Sequence, residues 1–281
     1  MIDPGTRIGA VHLTISDLRR SVRFYEEHLG FTVHRRDERT AWLGAGGADL
    51  LILSQSEHAP RVRGTTGLYH FAILVPSRGD LSRALRRLVA LNTVMQGAAD
   101  HGVSEALYLA DEDGNGIEIY RDRPRAEWPM AGGRLQMGAD PLDLDALLGD
   151  ADGEGSGTGL ARGTVIGHVH LHVAGLADAE AFYVGLLGFE TMQRYGPSAL
   201  FVAAGGYHHH IGLNTWAGVG APPPPPGALG LRHFDVVLPS AAAFGQVADR
   251  VRAVGIVPEE VDGGLLIHDP AKNAVLLTTQ G

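Results

Sequence analysis

Residues 8–13 read Ile8-Gly9-Ala10-Val11-His12-Leu13, and the phrase returns as Ile166-Gly167-His168-Val169-His170-Leu171. The offset of 158 then carries Leu18, Phe24, Tyr25, Leu29, Gly30 and Phe31 onto Leu176, Phe182, Tyr183, Leu187, Gly188 and Phe189. A second pair matches at an offset of 163, Gly67-Leu68-Tyr69-His70-Phe71 with Pro76 against Gly230-Leu231-Arg232-His233-Phe234 with Pro239. Asp111 to Asn115 reappears as Asp269 to Asn273, again at 158. A fixed period over apolar and glycine positions marks repeated structural units. The chain therefore reads as four modules of about 55 to 60 residues, in which module 3 resembles module 1 and module 4 resembles module 2.

Each module has the same local grammar. Ala10 to Ile15 alternates in the manner of a strand, and from Ser16 the residues Leu18, Val22, Tyr25 and Leu29 fall on one face of a helix. Ser16-Asp17 can cap that helix and Gly30 can end it. Three short strands follow, around Thr32 to Arg36, Thr40 to Leu43 and Asp49 to Ser54, separated by Asp-, Gly- and Arg-rich turns. Such a β-α-β-β-β unit cannot cover its own sheet and needs a partner. By sequence order the expected domains are residues 1–125 (modules 1 and 2), a Gly- and Asp-rich linker over 126–163, and residues 164–281 (modules 3 and 4). Leu142, Leu144, Leu147 and Leu148 read as a short helix within the linker, and Ala221 to Pro226 as a stiff extended segment rimming a cleft.

Composition narrows the class. The chain has 281 residues, 44% hydrophobic and 20% charged, a balance that fits neither a disordered nor a membrane protein. No apolar run approaches the ~18 to 20 residues that cross a bilayer. A net charge of −9 argues against nucleic acid as a partner. With no cysteine, disulfides, thiolate metal sites and thiol nucleophiles are excluded. The N-terminus lacks a secretory pattern, so a cytoplasmic location is the expectation. Histidine, at 14 residues, is abundant enough to carry the chemistry.

Paired β-α-β-β-β modules with His-x-x-Leu-x-Val, Phe-Tyr and Leu-Gly-Phe resemble the vicinal oxygen chelate superfamily of glyoxalases, bleomycin resistance proteins and extradiol dioxygenases. The resemblance covers nearly the whole chain outside 126–163 and implies an α+β fold of two cupped, mixed-sheet barrels. Within module 2, His101, Leu107-Tyr108, Asp111, Gly114 and Glu118 follow the signature of type I extradiol, catechol 2,3-dioxygenase-like enzymes. The departures are Ala99, where Gly, Asn or Thr is usual, and Glu112, where proline is usual. The resemblance implies that Glu118 binds Fe(II), with Mn(II) as the alternative, and that His101 and Tyr108 hydrogen-bond the substrate. Two imidazoles and a carboxylate on one face of the ion leave adjacent positions for a catecholate and dioxygen.

The family places the histidine ligand three residues before the Leu or Ile of a module's first strand. That register gives His70 in module 2, His168 in module 3 and His233 in module 4, but Ala10 in module 1. Pairing modules 1 with 2 yields Ala10, His70 and Glu118, and pairing 3 with 4 yields His168, His233 and Leu276, each one ligand short. Pairing 2 with 3 completes His70, Glu118 and His168, leaving Ala10, His233 and Leu276 to modules 1 and 4. The expected architecture is therefore 2 with 3 and 1 with 4. The family's acid or base histidine falls within Tyr207-His208-His209-His210, where the spacing favours His209 and then His210.

Other residues receive structural readings. His12, His170 and His172 line a barrel mouth, Glu26-Glu27 is an exposed helix face, and Glu105, Asp111 and Asp113 are turn residues. Arg63, Arg121 and Arg123 could meet an anionic substituent but read first as partners in structural ion pairs. The resemblance thus implies a homo-oligomeric oxidoreductase of aromatic degradation, acting on a small aromatic diol and O2, with hydroquinone dioxygenase as a variant. Its rivals are a glyoxalase-type isomerase, which needs a further ligand near Leu51 to Leu53, and a metal-free resistance protein, which needs neither Glu118 nor His168.

Overall fold

The computed structural model describes residues 1–150, 159–261 and 263–279. Two sheets account for the strands of all four modules. The first runs Glu259–Val261, Gly264–His268, Ala274–Thr279, Gly230–Leu238, Arg7–Ile15, Asp49–Gln55, Thr40–Gly44, Thr32–Arg36. The second runs Asp140–Pro141, Met95–Asp100, Ser104–Ala110, Gly116–Asp122, Gly67–Leu74, Val165–His172, Ile211–Asn214, Ala199–Ala203, Glu190–Tyr195. Module 1 is thus joined to module 4, and module 2 to module 3, as counting the ligand positions requires. Each seam is an antiparallel pairing of two opening strands, with His12 opposite His233 in one sheet and His170 opposite His70 in the other. Within a module the opening strand pairs in parallel with its last strand. Each sheet is therefore mixed.

The period of two decides which side chains meet. In the second sheet Phe71, Ile73, Leu107, Leu109, Ile117 and Ile119 share the main core with Leu81, Ala84, Leu85 and Leu88 of helix Arg78–Ala90. Ala72, Ala106 and Tyr120 occupy the other face, in a small separate cluster with Tyr108 beside it. His70 and Glu118 alternate onto that second face, away from the helix. His70, Tyr108 and Glu118 line a cavity on that face, with Gly97, Ala99 and Gly116 beside them.

The first helix follows its sequence signals, with one difference. Asp17 caps Leu18–Phe24 by accepting the Arg20 N–H, and Gly30, at φ 81, ends the element. Between them Tyr25–Leu29 widens into a π turn, and Ala181–Leu186 does the same in module 3. Of the stretch 126–163, Asp140–Pro141 joins the edge of the second sheet, Leu144–Gly149 is helical, and residues 151–158 lie outside the described residues. No helix among the described residues is long and apolar enough to cross a membrane.

Candidate metal centre

His70, Glu118 and His168 come from three neighbouring strands of the second sheet, and one ligand atom from each lies within 4.8 Å of the others. Glu118 Oε2 is 3.0 Å from His70 Nε2 and 3.1 Å from His168 Nε2. The His70 contact lacks the alignment of a hydrogen bond, leaving that buried nitrogen without a partner. Burial opposes ionisation of Glu118, yet the adjoining His168 and His70 outweigh it and hold the carboxyl well below its usual range. Burial pushes His168 down to about 4. A carboxylate and an imidazole with a free lone pair is the protonation state that a divalent ion requires, and the donor set N, N, O suits a first-row ion. The residues fit such a group.

The trio forms one wall of a cavity of about 370 Å³. Tyr69, Phe201 and Trp216 supply aromatic surface, with Tyr69 and Trp216 meeting edge to face at 5.1 Å. Met137 to Ala139, from the stretch read as linker, close part of the rim. Among the described residues that line it, none is Lys or Arg. Arg121 and Arg123 instead bind the buried carboxylate of Glu105, and Arg123 also binds Asp100. Arg63 lines a separate cavity of about 760 Å³ beside the proline run. Glu105 departs from its reading as a turn residue: it lies in strand Ser104–Ala110, buried, because three arginines, Arg78 included, surround it.

The other histidines divide by position. His101 and Tyr108 line the cavity, with His101 Nε2 2.6 Å from the Tyr108 hydroxyl and Nδ1 2.6 Å from the Gly138 carbonyl. A carbonyl only accepts, so Nδ1 carries the hydrogen, and in the neutral ring the Tyr108 O–H donates to Nε2. His209 lines the cavity, its ring 4.1 Å from that of His168. His210 does not, since its Nδ1 accepts the Ala204 N–H at 3.1 Å. His170 lines the cavity, His172 the neighbouring one, and His12 belongs to the other sheet.

One group that the sequence reading passed over completes the arrangement. Asp122 Oδ1 accepts from His208 Nε2 at 2.8 Å, and His208 Nδ1 meets His209 Nδ1 at 2.8 Å. With its hydrogen on Nε2, a neutral His208 presents Nδ1 as an acceptor, so His209 donates from Nδ1 and keeps its Nε2 lone pair free. Asp122 also accepts from Tyr207, whose hydroxyl is 2.8 Å from that of Tyr120. Asp122 stands four residues beyond Glu118 on one strand, hence on the same face, and that period was the available signal. Burial, with His168 and His208 beside it, keeps His209 well below the usual imidazole range.

The model of the Glyoxalase/Bleomycin resistance protein/Dioxygenase superfamily matches residues 7–119 and 165–273. A Bacillus subtilis (strain 168) protein named catechol-2,3-dioxygenase is 46% identical over 280 residues, 98% of each chain. Among solved structures, glyoxalase I from Zea mays superposes with TM-score 0.60 at 17% identity, over 98% of this chain and 92% of that one. The cppA protein of Streptococcus pneumoniae TIGR4 does so with TM-score 0.56 at 12% identity, over 98% of both. At those identities the two structures speak to the fold alone.

Proposed function

The chain belongs to the glyoxalase/bleomycin resistance protein/dioxygenase superfamily, and from that membership we propose that it is a non-haem Fe(II) extradiol dioxygenase acting on catechol or a neutral substituted catechol. The observation that carries the reading is the convergence of His70, Glu118 and His168 on one wall of an aromatic cavity that His209 also faces. The 46% identity to a protein named catechol-2,3-dioxygenase supports the reaction class. His70, His168 and Glu118 would hold the ion, with Mn(II) as the alternative to Fe(II). When bound, the ion supplies adjacent open positions for diol and dioxygen and a path for electrons between them.

The chain's own groups do the remaining work. Tyr69, Phe201 and Trp216 offer faces and edges to a planar ring and exclude water from it. His209 Nε2 takes a proton from a diol hydroxyl and later returns it to an oxygen of the opening ring. The Tyr108 O–H is spent on His101, so its oxygen is free to accept from the second hydroxyl. Catechol and O2 then combine with both oxygen atoms retained, giving a yellow semialdehyde. With neither Lys nor Arg among the described residues that line it, the cavity disfavours rings that carry a carboxylate.

An oxygen electrode tests this directly. Iron-loaded protein should consume one O2 per catechol while yellow product accumulates, with a carboxylated catechol turned over at least ten-fold less efficiently. Glu118→Gln should lose both iron retention and turnover, since the only anionic ligand is gone. Absence of oxygen uptake with every vicinal or para diol would end the proposal; a glyoxalase-type isomerase uses no oxygen, so the same trace separates the two.

A further inference from the structure

The sheet formed by modules 1 and 4 gathers its own donors: His233 keeps its register position, while His12 and Asp235 stand in for Ala10 and Leu276. His12 and His233 face each other across the seam, their rings stacked at 3.8 Å between centroids with 27° between planes. Asp235 lies two residues beyond His233, hence on the same face. Its Oδ1 is 3.7 Å from His12 Nε2 and 3.9 Å from His233 Nε2, too far for a hydrogen bond to either. One ligand atom from each residue falls within 4.8 Å of the others.

Two features separate this cluster from a chance meeting of polar residues. Asp235 Oδ1 is buried and finds no hydrogen-bond donor among the described residues, and a buried polar atom left unpaired is unfavourable unless a ligand satisfies it. Room for the carboxylate also depends on a particular residue: a Cβ at Gly9 would fall 2.9 Å from Asp235 Cβ and 2.7 Å from Val237 Cγ2. Ligands held at about 2.0 to 2.2 Å around one ion stand roughly 3.3 Å apart, a few tenths of an ångström inside the two distances from Asp235. The three side chains remain 15% to 19% exposed, which leaves the cluster open on one side.

We propose that His12, His233 and Asp235 form a second divalent metal site, of the zinc type, that ties the opening strand of module 1 to that of module 4. Two imidazole nitrogens and a carboxylate oxygen suit Zn²⁺, and water or a small ligand would complete four-coordination on the open side. The site is separate from the reaction assigned to the inner sheet and stands whether or not that assignment holds. Its ligands lie on strands from opposite ends of the chain, so occupancy braces the seam between them.

Equilibrium dialysis of metal-free protein against Zn²⁺, followed by elemental analysis, reads the stoichiometry. The native chain should take two ions, Glu118→Gln one, and Glu118→Gln combined with Asp235→Asn none. In the Glu118→Gln background Zn²⁺ should raise the thermal midpoint, and Asp235→Asn should remove that rise. His12→Gln, on the other strand, gives a second reading of the same loss should Asp235→Asn fail to fold. Zinc content that is unchanged by Asp235→Asn or His12→Gln in folded protein overturns the proposal, as does a native chain that takes a single ion which Glu118→Gln abolishes.

Discussion

At the scale of single residues the inner sheet depends on who may donate to whom. Asp122 can only accept, and through His208 that restriction reaches His209 and leaves its Nε2 lone pair free. Asp122→Asn replaces an obligate acceptor by a group that can also donate, so the tautomers of both histidines are released. Turnover should fall by about 10²-fold or more while iron content stays at the native level, a split that metal analysis beside steady-state kinetics resolves. Gly167 exerts a different control, because a Cβ there would lie 1.8 Å from the Tyr120 hydroxyl oxygen. Gly167→Ala should cost about 1 to 3 kcal/mol in urea denaturation. With Tyr120→Phe the loss should be smaller than the sum of the two single changes, since the colliding oxygen is removed. Gly9 and Gly167 were visible as repeated letters, whereas the neighbours they make room for, Asp235 and Tyr120, were not, because those belong to strands distant in the chain.

At the scale of elements the repeat explains itself through a hydrogen bond. Tyr25, in the π turn of module 1, donates to Asp111 in a turn of module 2 at 2.9 Å, and Tyr183 of module 3 does the same to Asp269 of module 4 at 3.1 Å. Each aspartate also accepts from its own Asn, Asp111 from Asn115 and Asp269 from Asn273. Each tyrosine therefore reaches from one sheet to a turn of the other. Asp111→Ala and Asp269→Ala should each destabilise by about 2 to 4 kcal/mol, because several buried donors lose their acceptor; Tyr25→Phe should cost about 1 kcal/mol. Chemical denaturation monitored by circular dichroism checks the order. The strand and helix positions followed from periodicity, but the π turns did not, since apolar spacing does not separate one helical pitch from a locally wider one.

At the scale of the whole molecule, burial of neutral histidines sets a response to acid. Burial, with His208 close by, holds His210 down at about 4, against about 6.5 in an unfolded chain. The folded state then binds the proton less readily than the unfolded one, so stability present above pH 6.5 is lost as the pH falls towards 4. In metal-free protein this residue should account for at most about 3 kcal/mol of that loss. His210→Gln keeps an acceptor for the Ala204 N–H and should flatten that part of a pH series of urea titrations. The N-terminal residues tie modules 3 and 4 together: the Ile2 N–H donates to the Gly188 carbonyl, and Arg250 donates to those of Leu187 and Met1. Repetition and the strand and helix periods were readable from the order of residues, because each is a matter of spacing along one chain, and the pairing of module 2 with module 3 followed from the ligand set that the family resemblance implies. What the tertiary structure alone decided is which side chains share a space: the His209, His208 and Asp122 chain, the Glu105 ion pairs, the aromatic wall, and His12 beside His233 and Asp235. These contacts join residues far apart in the chain through sheet pairing and side-chain rotamers, and no spacing rule along a single strand encodes a distance between two of them.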